Sequence, residues 1–286
     1  MRALVLSGGG SKGSYQVGAL LHLLGNLKIK YDILCGVSVG AINSAYLAMF
    51  KHGEEKKSIE SLQEMWLKIN SSSIYQRHFP FGRWHALWKK SFYDSTPLHN
   101  LIKNNIDLNK IRQSNKTVTA GTVSLTSGKY TIFDQSSDYF IDSVIASASF
   151  PGMLAPVKFL DQLWTDGGVK ELSPIKKAIE LGANTIDIIV TSPETRVKKF
   201  ISKPTTVDIL KTIIDLSTDK ILANDIDKIQ NHNKLAKAGI DKYQYITVNI
   251  VRPANNLTED LLDFNPNKIK KMIEVGYLDA KSNFIL

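Results

Sequence analysis

Ile33-Leu34-Cys35-Gly36-Val37-Ser38-Val39-Gly40-Ala41-Ile42-Asn43 is the stretch on which the fold turns. An apolar run over Asp32–Cys35 reads as a short buried strand, and Ala41–Phe50 reads as an apolar helix. Between them lies G-x-S-x-G, Gly36 to Gly40. A serine on a sharp strand-to-helix turn is pushed out of the sheet, and small residues on either side let the two chain segments approach. The helix that follows points its partial positive charge at any anion developing on that serine. The plainer alternative makes Ser38 a helix N-cap, with the glycines serving only the turn.

Toward the N-terminus the same order occurs once before. Arg2–Ser7 reads as a buried strand, Gly8-Gly9-Gly10-Ser11-Lys12-Gly13 as a glycine-rich turn, and Tyr15–Leu24 as a helix. Strand, turn and helix, twice in succession, predict an α/β fold with a mainly parallel central sheet flanked by helices. The glycine loop contains G-x-G-x-x-G, yet a dinucleotide site needs an acidic residue at the end of the second strand. Asp32 stands at the start of that strand, and its end runs into Ser38. The loop therefore points to another anion: glycine N–H groups at a helix start can cradle the oxyanion of a tetrahedral intermediate. Gly8, Gly9 and Gly10, with Val39 of the elbow, are the candidate donors. Lys12 either adds charge there or packs its stem to hold the loop, and the second role is favoured.

A serine nucleophile needs a base. His22, His52, His78, His85, His99 and His232 carry no motif and read as surface residues, and a Ser-Asp-His order along the chain would force the role onto His232. Asp166 in Trp164-Thr165-Asp166-Gly167-Gly168 is the better candidate, presented on a tight exposed turn after an apolar run. Taken alone, D-G-G is also an ordinary turn.

Further strands are predicted at Thr117–Thr122, Tyr130–Phe133, Thr185–Val190 and Tyr245–Ile250. Helices are predicted at Ser58–Ile69, Leu98–Asn104, Ile141–Ala148, Ile175–Leu181, Thr206–Ala238 (as one helix or a broken one) and Pro266–Tyr277. No linker divides the chain, so residues 1–286 are read as a single domain.

The composition, 43% hydrophobic and 22% charged, is that of an ordinary globular chain. The N-terminal apolar run is too short for a secretory leader, and the single cysteine, Cys35, excludes an internal disulfide. A cytoplasmic location, with peripheral membrane contact, is the expectation; export without a cleavable signal stays compatible with it. The net charge of +9 comes from lysines spread in pairs. They read as a solvated surface or as attraction to an anionic leaflet, and no nucleic-acid module signature accompanies them.

The glycine loop, the elbow and the D-G-G together, in that order, resemble the patatin-like phospholipase family, whose motifs are G-G-G-x-[RK]-G, G-x-S-x-G and D-G-[GA]. Ala41 and Asn43 are similar to its G-A-x-N, and Ala146 to Gly152 to its A-S-x-x-x-P-G, with Phe150 where many members carry a smaller residue. Leu261 to Phe264, Ile273, Gly276 and Tyr277 are similar to family C-termini. The resemblance implies a three-layer α/β/α fold and a Ser38–Asp166 dyad without histidine. It also implies cleavage of glycerolipid acyl esters. Lys12, Gly13, Gly36, Gly40, Gly167 and Gly168 support the motifs, and no metal or cofactor is expected. An acyltransferase using the same dyad, and a non-catalytic lipid-binding protein, are the alternatives. A carboxylate is a weak base, with an ordinary pKa near 3.9, so burial has to raise that of Asp166.

Residues 74–93 are unusually aromatic. They either cap the core or form a lid that touches membrane and admits acyl chains. In that second case Trp84 and Trp88 contact lipid, with Arg83, Lys89 and Lys90 at headgroup level.

Overall fold

A computed structural model of the chain describes residues 1–77, 90–194, 206–240, 243–258 and 260–284. Trp84, Trp88, Arg83 and Lys89, and most of the aromatic segment with them, lie outside the described residues.

Strands β1 (Arg2–Leu6), β2 (Ile33–Val37), β5 (Thr117–Ser124), β9 (Thr185–Ile189) and β10 (Thr247–Val251) pair in parallel in the order β10-β9-β1-β2-β5. β6 (Tyr130–Asp134) runs antiparallel along β5. The hairpin β7 (Val157–Phe159) and β8 (Gln162–Asp166) closes that edge, with β8 antiparallel to β5. β3 (Gln76–Arg77) and β4 (Tyr93–Asp94) form a separate two-residue ladder.

The alternation of side chains along each strand sorts the core into two layers. Leu4, Leu6, Leu34, Val118 and Ala120 face one side. There they pack on α1 (Gly13–Leu20), α2 (Val39–Leu47), α3 (Glu55–Lys68), α5 (Thr96–Asn105), α7 (Phe140–Ser147) and α10 (Pro266–Asn283). Ala3, Val5, Ile33, Cys35, Ile186 and Ile188 face the other, against α8 (Ile175–Glu180) and α9 (Thr206–Lys237). Short helices α4 (Ser71–Ile74) and α6 (Leu108–Arg112) sit in the connections. The three-layer α/β/α architecture with a mainly parallel sheet is thus borne out, and α9 is one unbroken helix.

The β7–β8 hairpin and its antiparallel edge were not expected from the sequence. Its turn residues, Leu160 and Asp161, both adopt left-handed backbone, φ 50° and 54°. That is the geometry of a two-residue type I′ turn, whose usual sequence signal is Asn-Gly or Asp-Gly. With neither residue of Leu-Asp a glycine, the hairpin carries no such signal. A small aromatic cluster holds it instead: Trp164 stacks on Phe159 with centroids 5.1 Å apart, and Phe133 meets Trp164 edge-on.

Candidate active site

β5 acts as the ruler of the site. Its residue Gly121 pairs with Val37, the last residue of β2, and its next residue, Thr122, pairs with Asp166, the last residue of β8. Ser38, just past the end of β2, is thereby brought beside Asp166, with the Ser38 hydroxyl near enough to the Asp166 carboxylate to favour its charged form.

Ser38 sits at φ 56°, ψ −130°, at the start of α2. A non-glycine residue in such a sparsely populated region stores strain of roughly 1–3 kcal/mol, held by its surroundings. What holds it is close packing. A Cβ on Gly36 would fall on the carbonyl of Gly40, and a Cβ on Gly40 on the carbonyl of Leu6, so neither position takes a side chain. Ser38 occupies the cap position of α2, yet its side chain makes no capping bond. That disfavours the simple N-cap role.

Asp166 is 2% exposed, not on an exposed turn as the D-G-G pattern suggested. The reason is that it ends a strand whose neighbours on both sides are sheet and helix, with only Gly167 beginning the turn. Burial pushes its carboxyl up to about 7, against the hydrogen bond from the Gly168 N–H, at 2.7 Å, and the neighbouring Ser38 hydroxyl.

The glycine loop reaches the same place from β1. Gly10 has φ 57°, and a Cβ there would meet the carbonyl of Leu261, so the loop needs glycine at that point for conformation and for space. The N–H groups of Gly9 and Gly10 have no acceptor among the described residues, and Val39 opens α2, where an N–H has no partner inside the helix. Gly8 is a correction: its N–H donates to the carbonyl of Leu172 at 3.2 Å, so it anchors the loop and is not available to an oxyanion. Lys12 is 5% exposed, its stem buried beside the loop. Gly13 lies against Val39 and Trp66.

One cavity is lined by Gly8, Gly9, Gly10, Lys12, Ser38, Val39, Asp166 and Gly168 together. Away from Ser38 its wall is apolar: Ile42, Met65, Trp66, Ile74, Leu98, Leu101, Phe150, Met153 and Leu154. Thr191, Ser192, Thr218 and Asp260 make a more polar wall. Gly36, Gly40 and Gly167 support the turns from behind. No histidine among the described residues lines this cavity. His52 pairs with Asp32 and Glu55, and His232 meets the Gln244 carbonyl.

Several residues that build the site carried no role in the sequence. Asn43, fully buried, receives the Trp66 indole N–H at 2.9 Å and donates to Gly13 and Gln16, tying α2 to the glycine loop and α3. Asp225 of α9 accepts the N–H groups of Leu172 and Ser173, fixing the carbonyl that anchors Gly8. The sequence marks Asn43 only as part of the G-A-x-N resemblance, without a contact; for Asp225 the signal is polarity inside an apolar segment, which a solvent-facing position mimics.

No helix among the described residues is long and apolar enough to cross a membrane, and no three His, Cys, Asp or Glu side chains among them cluster as a metal site would require.

The sequence pattern of the family described as Patatin-like phospholipase matches residues 4–179. The Homo sapiens protein named Calcium-independent phospholipase A2-gamma is 29% identical over 108 residues, 36% of this chain and 13% of that protein. Its Mus musculus namesake is 28% identical over 111 residues, 37% of this chain and 13% of the relative. The match thus spans only 13% of the length of these relatives. Among solved structures, VipD from Legionella pneumophila aligns with a TM-score of 0.46 at 14% identity, covering 98% of this chain and 66% of that one.

Proposed function

We propose that this chain, which belongs to the patatin-like phospholipase family, is a lipid acyl hydrolase that cleaves glycerolipid carboxylic esters through an acyl-enzyme on Ser38. The observation that carries the proposal is the Ser38 hydroxyl set beside a buried carboxylate whose pKa is pushed up to about 7. A carboxylate with its ordinary pKa would be too weak a base; at about 7 it matches a neutral medium. The apolar wall of the cavity that Ser38 lines suits an acyl chain, and the relatives' names concern phospholipases.

In this scheme Asp166 takes the Ser38 proton as the serine oxygen bonds to the ester carbonyl carbon. The carbonyl oxygen becomes an anion, received by the N–H groups of Gly9, Gly10 and Val39. Its collapse breaks the ester C–O bond, and Asp166 returns the proton to the departing alcohol. Water then gives a proton to Asp166 and attacks the acyl carbon; the acid leaves, and Ser38 recovers its hydrogen. The lysine-rich surface and the aromatic segment 74–93, with Trp84 and Trp88, are assigned the contact with the lipid surface.

The test is mass spectrometry after treatment with a lipophilic fluorophosphonate, comparing wild type with Ser38→Ala and Asp166→Asn. A single adduct on Ser38, lost in Ser38→Ala and strongly slowed in Asp166→Asn, is expected. Labelling at another serine, or normal ester hydrolysis by Asp166→Asn, would sink the dyad.

A further inference from the structure

The chemistry above leaves the segment Ala146-Ser147-Ala148-Ser149 without a task, yet it touches both residues of the proposed dyad. Ser147, the last residue of α7, is fully buried. Its Oγ accepts the backbone N–H of Ser38 at 2.8 Å and donates to the carbonyl of Gly121 at 2.6 Å. Gly121 is the β5 residue that pairs with Val37, so Ser147 pins the strained elbow to the ruler strand. Two residues on, the Ser149 carbonyl accepts the backbone N–H of Asp166 at 3.1 Å and the Thr165 hydroxyl at 2.7 Å. The side chain of Ser149 turns back to the Ile145 carbonyl and closes the helix end.

We infer that this helix end is a clamp that sets the separation of the two reacting side chains, with Ser147 as the positioning residue for Ser38. The inference rests on the Ser38–Asp166 reading of the reaction. Ser38 and Asp166 come from different strands, and their separation depends on both backbones being held to one reference. The end of α7 supplies that reference through one side-chain oxygen and one carbonyl, two residues apart on a single rigid turn. A group held this way works through geometry: loss of the bond moves the nucleophile without removing it, so turnover suffers while substrate binding does not.

The test compares the full-length wild type with Ser147→Ala, Thr165→Val and Ser143→Ala on a soluble short-chain ester. The readings are kcat, KM and the pH dependence of kcat/KM. Ser143 is a control of equal burial one turn earlier on α7; among the described residues its hydroxyl bonds only the Phe140 carbonyl of its own helix. Ser147→Ala is expected to lower kcat about tenfold, the rate equivalent of one hydrogen bond, with KM little changed. Its acidic limb moves to higher pH, because the Ser38 hydroxyl that favours the charged carboxylate is moved away from Asp166. Lys12 and Asp260 are the charged groups lining the same cavity, and these variants leave both in place. Thr165→Val keeps the Asp166 N–H bond to Ser149 and is expected to lower kcat about threefold in the same pattern. Ser143→Ala leaves kcat and the limb as in wild type.

Ser147→Ala that matches Ser143→Ala in kcat and limb overturns the clamp, provided wild-type Ser38 is labelled by fluorophosphonate. A wild type that is not labelled at Ser38 overturns the dyad, and the clamp with it. Should Ser147→Ala fail to fold, Thr165→Val decides: an unmoved kcat and limb there overturns the clamp.

Discussion

At the tip of β2 the chain holds Ser38 by backbone geometry; at the end of β8 it holds Asp166 by burial. Ser38 is forced to φ 56° by a turn in which Gly36 and Gly40 leave no room for a Cβ. Asp166 has ordinary extended backbone, φ −53° and ψ 129°, and its burden is electrostatic: a carboxyl 2% exposed, pushed up to about 7. The difference is one of range. The turn's residue types lie within a few consecutive positions, so a five-residue motif signals it, even though Leu6 and Ser147 from elsewhere in the chain help to hold it. Desolvation is set by everything around the group, so no local pattern can encode it.

The sharpest way to break the comparison is to remove the buried charge and keep the shape. Asp166→Asn is expected to lower kcat roughly 10⁴-fold, the scale for losing the partner of a serine nucleophile. It should also stabilise the fold, with a definite sign in pH. The folded pKa of about 7 lies above the ordinary aspartate value of 3.8. Between those values the folded state therefore binds more protons than the unfolded one, and wild type loses stability as pH rises through that window. Asp166→Asn accordingly melts above wild type at pH 8, and the gap closes toward pH 4. Thermal melts with no gap at pH 8 would show that burial does not burden the carboxylate.

The backbone side of the comparison is tested by Gly40→Ala. Its Cβ falls on the Leu6 carbonyl, so the elbow and β1 have to part. A destabilisation of about 3 kcal/mol in urea unfolding is expected. A variant as stable as wild type would mean that the elbow is not held by this contact.

A finer test uses the fact that two carboxyls are raised alike. Glu171 is also pushed up to about 7, by burial first and then by Asp225, but it does not line the cavity. Below pH 7, kcat/KM should fall about tenfold per pH unit as Asp166 is protonated. Glu171→Gln should leave that limb in place. A limb that vanishes in Glu171→Gln would transfer the titration to the wrong side of the β8 turn.

Much of the N-terminal half was legible. Strand, glycine loop, helix, strand, elbow and helix follow one another locally, and each carries its own signal in apolar periodicity and glycine placement. The identities of Ser38 and Asp166 as candidates came from the same motifs, and the cavity brings both together. Legibility failed where contacts are distant. Gly8 sits in the cradle motif, but its N–H is taken by Leu172, far along the chain. Leu160-Asp161 turns a hairpin without a glycine because Trp164, Phe159 and Phe133 pack around it.

By itself, then, the sequence determined the parallel α/β framework, the strained serine turn and the order of the motifs, because these follow from steric rules acting within a few residues. Only the tertiary structure decided that Asp166 is buried and raised to about 7, that β5 sets it beside Ser38, and that Ser147 bonds the elbow to that strand. Register, burial and desolvation belong to groups that meet only after the sheet has closed, so no segment of the chain holds that information alone.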